Sequence, residues 1–411
     1  MYEMLKGMRV VEGASFVAAP LCGQTFVQLG ADVIRFDPIE GGPDFRRWPL
    51  ASNGTSYYWE GLNKGKRSVA LDLTRPQGRE LAVALATANR SDDGFFVTNY
   101  PAGSFLSHDR LAESRPDLIT VRVTGSSDGR NAVDYTINCA TGYPFMTGAP
   151  TEGGPINHVL PAWDVAAGLT AAVALLAADR ERARTGRGGE ILVPLSNVAF
   201  ATLATLGHVA EVQTGGTDRD RYGNALYGTF GRDFLTGDGK RMMIVAVTNR
   251  QWAALVTALE LGNEIRALEL SKRIDLAGDE GARFQHRDEL FSLVAGQMAS
   301  QTFNELKAKF DRYGVGWGVY QTVSEALSND PRLSTQNPLF EMQTHQSGTP
   351  YLTPGCPAEW RHQRRVPVRP APRLGQHTDE VLADIVGLSA AEIGMLHDAG
   401  IVAGPREADY A

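Results

Sequence analysis

Hydrophobic and polar residues follow a regular order along the first 125 positions. Apolar runs rich in β-branched residues alternate with segments that have apolar residues at helical spacing, such as "APLCGQTFVQLG". The apolar runs cover residues 8–14, 31–37, 67–73, 94–100 and 118–125. Strands that alternate with helices in this way lie parallel in one sheet. The pattern therefore predicts a doubly wound α/β half-domain over residues 1–125.

The pattern changes twice in the rest of the chain. An Ala-rich helix after residue 164, the strand "GEILVPL" and a helix over 196–213 continue the α/β order, which the glycines and charges of "TGGTDRDRYGNALYG" then break. Two strands joined by a Gly-Asp-Gly turn lead into amphipathic helices, and predict a smaller α+β domain over 225–325. Further along, "VSEALSNDPRLSTQNPLFEMQ" predicts a helix and then a loop, "RRVPVRPAPRL" an extended crossing segment, and "SAAEIGMLHDAGIV" a final pair of helices.

Composition narrows the classes of protein. With 411 residues, 43% hydrophobic and 21% charged, the chain is an ordinary globular protein of about two domains. A net charge of −7 supplies no basic stripe, so we expect no nucleic-acid partner. The three cysteines are an odd number without CxxC spacing, which favours a reducing compartment.

Neither the N-terminal stretch nor the apolar runs have the features of a targeting or membrane segment. The opening "MYEMLKGMRVVEGASF" has no long apolar stretch followed by a small-residue cleavage site. The longest apolar candidate, "VAAGLTAAVALLAA", is shorter than the roughly 18 residues a membrane helix needs. We therefore expect a cytoplasmic protein without a membrane partner, and a buried helix at this run.

Several common chemistries lack their motifs. The turn after the first strand, "EGASFVAAP", has no G-x-G-x-x-G, which leaves Asp37 at the end of the second strand as weak support for a nicotinamide enzyme. There is no phosphate-binding P-loop motif and no His/Cys spacing suited to a metal. Ser126 and Ser127 in "TGSSDG" lack the G-x-S-x-G turn of serine hydrolases.

The stretch "NHVLPAWD", residues 157–164, places the carboxylate of Asp164 before the Ala-rich helix. Its local position favours a helix cap, because a carboxylate accepts bonds from the free N–H groups of a first turn. The alternative is a nucleophile in an apolar pocket. A carboxylate can attack a thioester, since the thiolate that leaves belongs to a thiol with a pKa near 8.5.

The chain resembles the class III coenzyme A transferases over nearly its whole length. The resemblance lies in "LKGMRVVEGASFVAAPLCGQTFVQLGADVIRFDPIEGGPDFR", "NKGKRSVALDLTRPQGRELAVAL", "FFVTNYPAG", "LPAWD", "TGRGGEILVPLSNVAF", "GDGKRMMIVAVTNRQW" and "PRLGQHTDEVL". It implies an acyl-CoA thioester as substrate, no separate cofactor and no metal. It also implies that Asp164 is the nucleophile, which forms an acyl anhydride and an aspartyl-CoA thioester.

The same resemblance implies a fold and an assembly. We expect a Rossmann-like large domain with a parallel sheet, built from residues 1–210 and, after a linker, from residues 330–411. Residues 225–325 would form the small α+β domain. Two chains are expected to form an interlocked homodimer, each threaded through the other.

One segment separates two chemistries within the family. Its racemases carry a His before the Asp of a segment that matches "GRNAVDYTINCATG", where this chain has Val133 and Asp134. Because valine cannot carry a proton, racemisation is disfavoured.

The likeness in "GLNKGKRS", "NHVLPAWD" and "GNALYGTFGRDF" is greatest to the branch that moves CoA between the two carboxyl groups of methylfumarate, or mesaconate. It implies conversion of 2-methylfumaryl-CoA to 3-methylfumaryl-CoA, in glyoxylate assimilation by the 3-hydroxypropionate cycle. Transfer of CoA to a different acid and CoA binding without catalysis remain alternatives.

The resemblance also implies binding residues. Arg46, Arg47 and Arg232, with Asp134, are expected at the trapped diacid. The expected CoA contacts are Val17, Ala18, Leu71, Asn99 and Tyr100. Family positions that supply cations to the CoA phosphates fall on Pro38, Thr74 and Ser107, and Arg75 is expected to replace Thr74.

Overall fold

Two units divide the chain in the computed structural model, which describes residues 1–88, 94–151 and 153–405. The first unit contains residues 1–141, 158–215 and the chain from 331 onward, and the second contains 142–157 and 216–330. The division expected from the sequence had placed 142–157 with the large domain.

The strands of the described residues carry the labels used below. In chain order they are β1 (Arg9–Gly13), β2 (Asp32–Pro38), β3 (Arg67–Leu71), β4 (Phe95–Thr98), β5 (Ile119–Thr124), β6 (Gly189–Pro194), β7 (Phe230–Leu235), β8 (Arg241–Ala246), β9 (Gly316–Val319), β10 (Phe340–Thr344), β11 (Pro350–Pro354) and β12 (Val402–Ala403).

The helices of the same residues are numbered in the same way. They are α1 (Ala18–Gln28), α2 (Tyr57–Asn63), α3 (Pro76–Ala86), α4 (His108–Ser114), α5 (Asp134–Asn138), α6 (Tyr143–Met146), α7 (Ala162–Thr185), α8 (Leu195–Thr205), α9 (His208–Gly215), α10 (Asn249–Ala258), α11 (Gly262–Lys272), α12 (Glu280–Gln285), α13 (Arg287–Ala299), α14 (Phe303–Tyr313), α15 (Val323–Asn329), α16 (Thr378–Val381) and α17 (Ala390–Asp398).

The first unit is built on a seven-stranded sheet with the order β12-β3-β2-β1-β4-β5-β6. All neighbouring strands are parallel except β12, which pairs antiparallel with β3. The predicted α/β fold with a parallel sheet is confirmed. The strand order reverses between β1 and β4, and in such sheets ligands bind where the loops after these two strands separate.

Helices α1 and α7 pack closely on one face of this sheet. A Cβ atom on Gly168 of α7 would lie 2.6 Å from the carbonyl oxygen of Ala18, so a larger residue would push the helices apart. Ala18 is the first residue of α1, and Gly168 is the seventh residue of α7, in its second turn. The close contact therefore fixes the N-terminal part of α7 beside the start of α1.

The second unit has a three-stranded antiparallel sheet, β7-β8-β9, covered by helices. Trp252, Phe291 and Phe310 belong to its buried core. The predicted hairpin of β7 and β8 is present, with Phe230 opposite Ala246 and Leu235 opposite Arg241. Strand β9, "GWGV", was not predicted, because it is short and contains two glycines.

Three predicted elements differ from the structure. The single helix expected over 196–213 is divided into α8 and α9 at Gly207, whose φ of +86° ends a helix. The loop expected after residue 329 contains the hairpin of β10 and β11. The expected final helix pair is α17 followed by β12, because Val402 and Ala403 extend the sheet at β3.

Helix α7 is longer than the apolar run that predicted it. Its 24 residues are long and apolar enough to cross a membrane, by length and composition alone, and 33% of the apolar window is buried within the chain. One such helix is weak evidence, because core helices of soluble proteins have the same properties. The expectation of a fully buried helix is wrong for the isolated chain, since Leu169, Val173 and Leu176 are exposed.

Candidate functional site

The first turn of α7 carries Asp164 in a position where it cannot act as a local cap. The N-cap residue is Pro161, so Asp164 is the third helical residue. An acid at that position normally accepts a bond from the N-cap N–H, but proline has none. The N–H groups of Trp163 and Asp164 donate instead to Oδ2 of Asp134, at 2.7 and 3.1 Å. The cap interpretation favoured by the local pattern therefore does not hold.

The Asp164 carboxylate is half-buried, and no described residue donates a hydrogen bond to it. Burial raises its pKa to about 6, the negative charge of Asp134 acts in the same direction, and Arg47 opposes both. A carboxylate with free lone pairs and raised basicity is suited to nucleophilic attack, and it is mostly ionised at pH 7.

The guanidinium of Arg47 lies between two aromatic rings near this carboxylate. Its Cζ is 5.7 Å from the centre of the Phe16 ring and 5.4 Å from that of Tyr58. Phe16 has a φ of +68°, a strained backbone conformation that residues other than glycine rarely adopt. Burial raises the pKa of Tyr58 to about 12, and Asp164 contributes to the increase. Arg47, Tyr58 and Asp164 thus share one site.

Helix α5 holds the start of α7 through several side chains. Asp134 is 1% exposed, and its Oδ1 lies 2.5 Å from Nε2 of His158. The indole Nε1 of Trp163 donates to Oδ1 of Asn138 at 3.1 Å. The His158 ring packs against Tyr135 and Trp163, with centroid distances of 5.8 and 6.3 Å.

The two other arginines predicted at the diacid have different surroundings. Arg46 is exposed and forms no hydrogen bond or ion pair with a described residue. Arg232 is on β7 in the second unit, with its guanidinium 5.2 Å from the ring centre of Phe291. Val133, the position of the racemase His, is 59% exposed at the start of α5.

The loops after β1 and β4 are tied together at the switch point of the sheet. The Ser15 N–H donates to Oδ1 of Asn99 at 3.2 Å, and Nδ2 of Asn99 donates to the Ser15 carbonyl at 2.9 Å. Val17 and Ala18 follow directly at the start of α1, and Tyr100 follows β4. Four of the predicted CoA contacts therefore lie on two adjoining loops.

A cavity of about 1040 Å³ opens beside β3 and β12. Leu71 and Tyr100 line it, whereas Val17, Ala18, Asn99 and Arg75 do not. Arg75 instead donates to the carbonyl of Ala399 at 2.7 Å and lies 3.3 Å from Asp72. The cavity wall also contains the side chains of Arg79, Phe105 and His397. Pro38 and Thr74, two positions where the family has phosphate-binding cations, lie on the same wall.

Sequence reasoning missed Tyr58, His158, Arg79 and His397. Pro161 was a partial signal, because a proline at the N-cap has no side-chain acceptor and another group must then accept the first-turn N–H groups of α7. Arg79 lies one helical turn after Arg75, on the same face of α3, and could have been considered with it. His397 gave no local signal, since it reaches the cavity only through the pairing of β12 with β3.

The chain is similar in sequence to known proteins along almost its whole length. The chain is 49% identical over 409 residues to the 2-methylfumaryl-CoA isomerase of Chloroflexus aurantiacus, with 99% of this chain and 100% of that protein covered. It is 28% identical to the succinyl-CoA–D-citramalate CoA-transferase of the same organism, over 95% of this chain and 96% of that protein.

The fold has solved counterparts. A CaiB/BaiF family protein from Brucella suis has a TM-score of 0.75 and 26% identity, and covers 94% of this chain and 100% of its own. The family model described as CoA-transferase family III matches residues 5–378. These matches show that the chain belongs to CoA-transferase family III.

Proposed function

We propose that the protein moves CoA within one molecule and converts 2-methylfumaryl-CoA to 3-methylfumaryl-CoA. The observation that carries the proposal is the half-buried Asp164 carboxylate, free of hydrogen bonds, in a chain 49% identical to a 2-methylfumaryl-CoA isomerase. The relative of 28% identity acts between two different acids, and an intermolecular transferase is accordingly the second candidate.

The reaction requires four acyl transfers and no net change in atoms. An oxygen of Asp164 attacks the thioester at carbon 1 and expels CoA thiolate, which leaves a mixed anhydride. The thiolate attacks the Asp164 carbonyl carbon, forming aspartyl-CoA thioester and releasing the diacid into the site. The carbon 4 carboxylate then attacks that thioester and expels the thiolate. Attack of the thiolate at carbon 4 gives the product and restores the Asp164 carboxylate.

Transfer of CoA within one molecule depends on keeping the free diacid beside the aspartyl thioester. A dianion needs a cation, and Arg47 is the guanidinium whose charge reaches Asp164. The Phe16 and Tyr58 rings restrict its movement, which lowers the entropy cost of holding a carboxylate. We assign the diacid contact to Arg47. Arg46 and Arg232 stay predictions.

The cavity beside β3 would hold the nucleotide end of CoA. Arg79 supplies a guanidinium there, 5.6 Å from the ring centre of Phe105. It could bind a phosphate where Pro38 and Thr74 cannot, whereas His397 on the same wall is already held by Asp379, with Nε2 2.8 Å from Oδ1. Under this proposal Arg79, rather than Arg75, replaces the missing family cations.

The decisive experiment gives the purified protein 2-methylfumaryl-CoA alone and separates the two regioisomers over time. We expect 3-methylfumaryl-CoA to form with no added acid, and without incorporation of labelled mesaconate supplied in large excess. Efficient incorporation would instead identify a two-substrate CoA transferase.

Variants connect that result to the site. Asp164→Ala should lose at least about 10³-fold in kcat, because no other group can form the anhydride, whereas Asp179→Ala on the same helix should keep normal activity. Arg47→Ala should let labelled acid enter, and Arg361→Ala, at an exposed position that no prediction assigns to the site, is its control. Normal turnover by Asp164→Ala would exclude the covalent route.

We also propose that the chain acts as an interlocked homodimer. Supporting this, apolar side chains remain exposed on α7 and α8: Leu169, Val173, Leu176, Phe200 and Leu206. Threaded chains cannot separate without unfolding, so sedimentation at nanomolar concentration should still find dimers. Folded monomers under those conditions would refute interlocking.

A further inference from the structure

Helix α7 begins without a cap of its own. Pro161 offers neither a side-chain acceptor nor an N–H, and the helix would otherwise leave the N–H groups of Trp163 and Asp164 unpaired. Asp134, from α5, accepts both bonds with one oxygen. The neighbouring N–H groups of Ala162 and Val165 donate to Leu160 and Pro161 carbonyls.

The other oxygen of Asp134 is also engaged. It lies 2.5 Å from Nε2 of His158, and the carboxylate is 1% exposed. Asp134 could bind the substrate only by releasing either the helix or His158. The geometry therefore places Asp134 behind the nucleophile instead of in contact with the diacid.

We propose that Asp134 and His158 are positioning residues for Asp164. Asp134 takes the capping bonds of α7, and His158 holds Asp134 in the orientation that does so. As a result, the Asp164 carboxylate keeps both oxygens free for attack on the acyl group. The assignment rests on the proposed function for its role in catalysis, but its structural part does not.

Asp134 also sets the charge around Asp164, because its repulsion adds to burial in raising the pKa of Asp164. Among the described residues, Arg47 opposes that increase, Tyr58 interacts with the Asp164 charge, and α5 also carries Tyr135. Of the helices packed on α7, α1 brings only Cys22 and α8 brings no ionisable side chain.

The test compares the pH profiles of kcat/KM for two conservative variants. Wild type should lose activity as pH falls through about 6, where Asp164 becomes protonated. Asp134→Asn keeps an oxygen for the two N–H groups but removes the charge, so the acidic limb should move down by about half to one pH unit. His158→Gln keeps a donor to Asp134, so the limb should stay where it is in wild type, whereas His158→Phe removes the donor and should lower kcat about 10-fold or more by misplacing Asp164.

Controls and a second readout make the result decisive. Asp128→Asn and His362→Gln, at exposed positions, should leave the profile unchanged. The Asp164 carboxyl should also be titrated directly by carbon NMR with labelled aspartate, assigned by comparison with Asp164→Asn. A lower pKa of Asp164 in Asp134→Asn, an unchanged one in His158→Gln and a loss of kcat in His158→Phe support the proposal. An unchanged pKa in Asp134→Asn, or normal kcat in His158→Phe, overturns it.

The two readouts separate this proposal from the proposed function. If wild type does not isomerise 2-methylfumaryl-CoA, the function fails, but the NMR titration of Asp164 still reports the effect of Asp134. If isomerisation proceeds and the titration does not move in Asp134→Asn, the positioning roles fail alone.

Discussion

Two groups of carboxylates in the first unit differ in how their oxygens are paired. In the ion cluster beneath β1 to β3, Glu12, Asp37 and Asp44 face Arg35 and Lys66, and all five residues are at most 4% exposed. In the carboxylate pair at α7, Asp134 has every oxygen bonded and Asp164 has none.

The ion cluster matches each acid with a cation. Lys66 Nζ lies 2.9 and 2.8 Å from the two oxygens of Glu12, and Arg35 contacts Asp37 and Asp44 at 2.8 and 3.0 Å. Such a cluster is rigid but unreactive, because every charge already has a partner. In the carboxylate pair at α7, only the Asp164 carboxylate lacks a hydrogen-bond partner among the described residues. The ion cluster therefore contributes to stability, whereas the Asp164 carboxylate is the one that is able to react.

The two groups are nevertheless connected. Asp44 of the ion cluster accepts the N–H of Arg47 on its carbonyl at 3.2 Å. The loop that carries the Arg47 guanidinium to Asp164 is therefore anchored in the rigid cluster. A substitution that disrupts the ion cluster should therefore displace this loop and, with it, the guanidinium of Arg47.

The largest effect is expected from removing one cation of the cluster. Lys66→Met leaves Glu12 buried with only the guanidinium of Arg35, 3.5 Å away. The free energy of unfolding should fall by about 3–5 kcal/mol, measured by urea denaturation. Lys6→Met, which removes an exposed pair with Glu3, should cost less than about 1 kcal/mol. Equal losses in the two variants would show that the cluster is not matched as described.

A smaller loss is expected from one added methyl group. Replacing glycine by alanine inside a helix normally stabilises a protein by about 1 kcal/mol. In α1, however, a Cβ on Gly23 would lie 1.9 Å from Oε2 of Glu12, which Lys66 holds in place. Gly23→Ala should therefore cost about 1–3 kcal/mol in urea unfolding. Gly394→Ala in α17, with nothing within 4 Å of its Cβ, should instead be stabilising. A gain at both positions would contradict the tight packing.

The smallest change in the free energy of unfolding is expected at Asp164, where the substitution should stabilise the fold instead of destabilising it. Because the folded-state pKa of Asp164 is raised to about 6, its ionisation destabilises the fold as pH rises from about 4 to 6. Asp164→Asn should match wild type below pH 4 and exceed it by about 1 kcal/mol at pH 7, allowing for partial exposure. Asp179→Asn should show no such gain. A loss of stability at pH 7 would mean that the carboxylate has partners after all.

The fold was largely predictable because its signals are local. Apolar runs at strand spacing located β1 to β6 to within a few residues, and their alternation with helices indicated the parallel sheet. The hairpin of β10 and β11 and strand β12 gave no such signal. They form through partners distant in sequence, as when Val402 pairs with Leu71.

The site was predictable only in part, for a related reason. Asp164 was identified by resemblance, while its local setting favoured a cap. Pro161 argues against that cap only once α7 is known to begin at Ala162, because from the sequence alone Asp164 itself could have been the N-cap residue. That Asp134 would replace the cap, and that His158 would hold it, depends on how α5 packs on α7, which no periodicity in either segment encodes.

The antiparallel strand β12 has a consequence for how the molecule is made. His397, Gly400 and residues 402–405 line the cavity with Leu71 and Tyr100, although more than 300 positions separate Val402 from its partner in β3. On the ribosome, strands β1 to β6 can pair early, whereas this wall must wait until the intervening second unit has been synthesised. A nascent chain would therefore bury most of its parallel sheet long before this cavity is complete, so translation itself delays formation of the proposed nucleotide site.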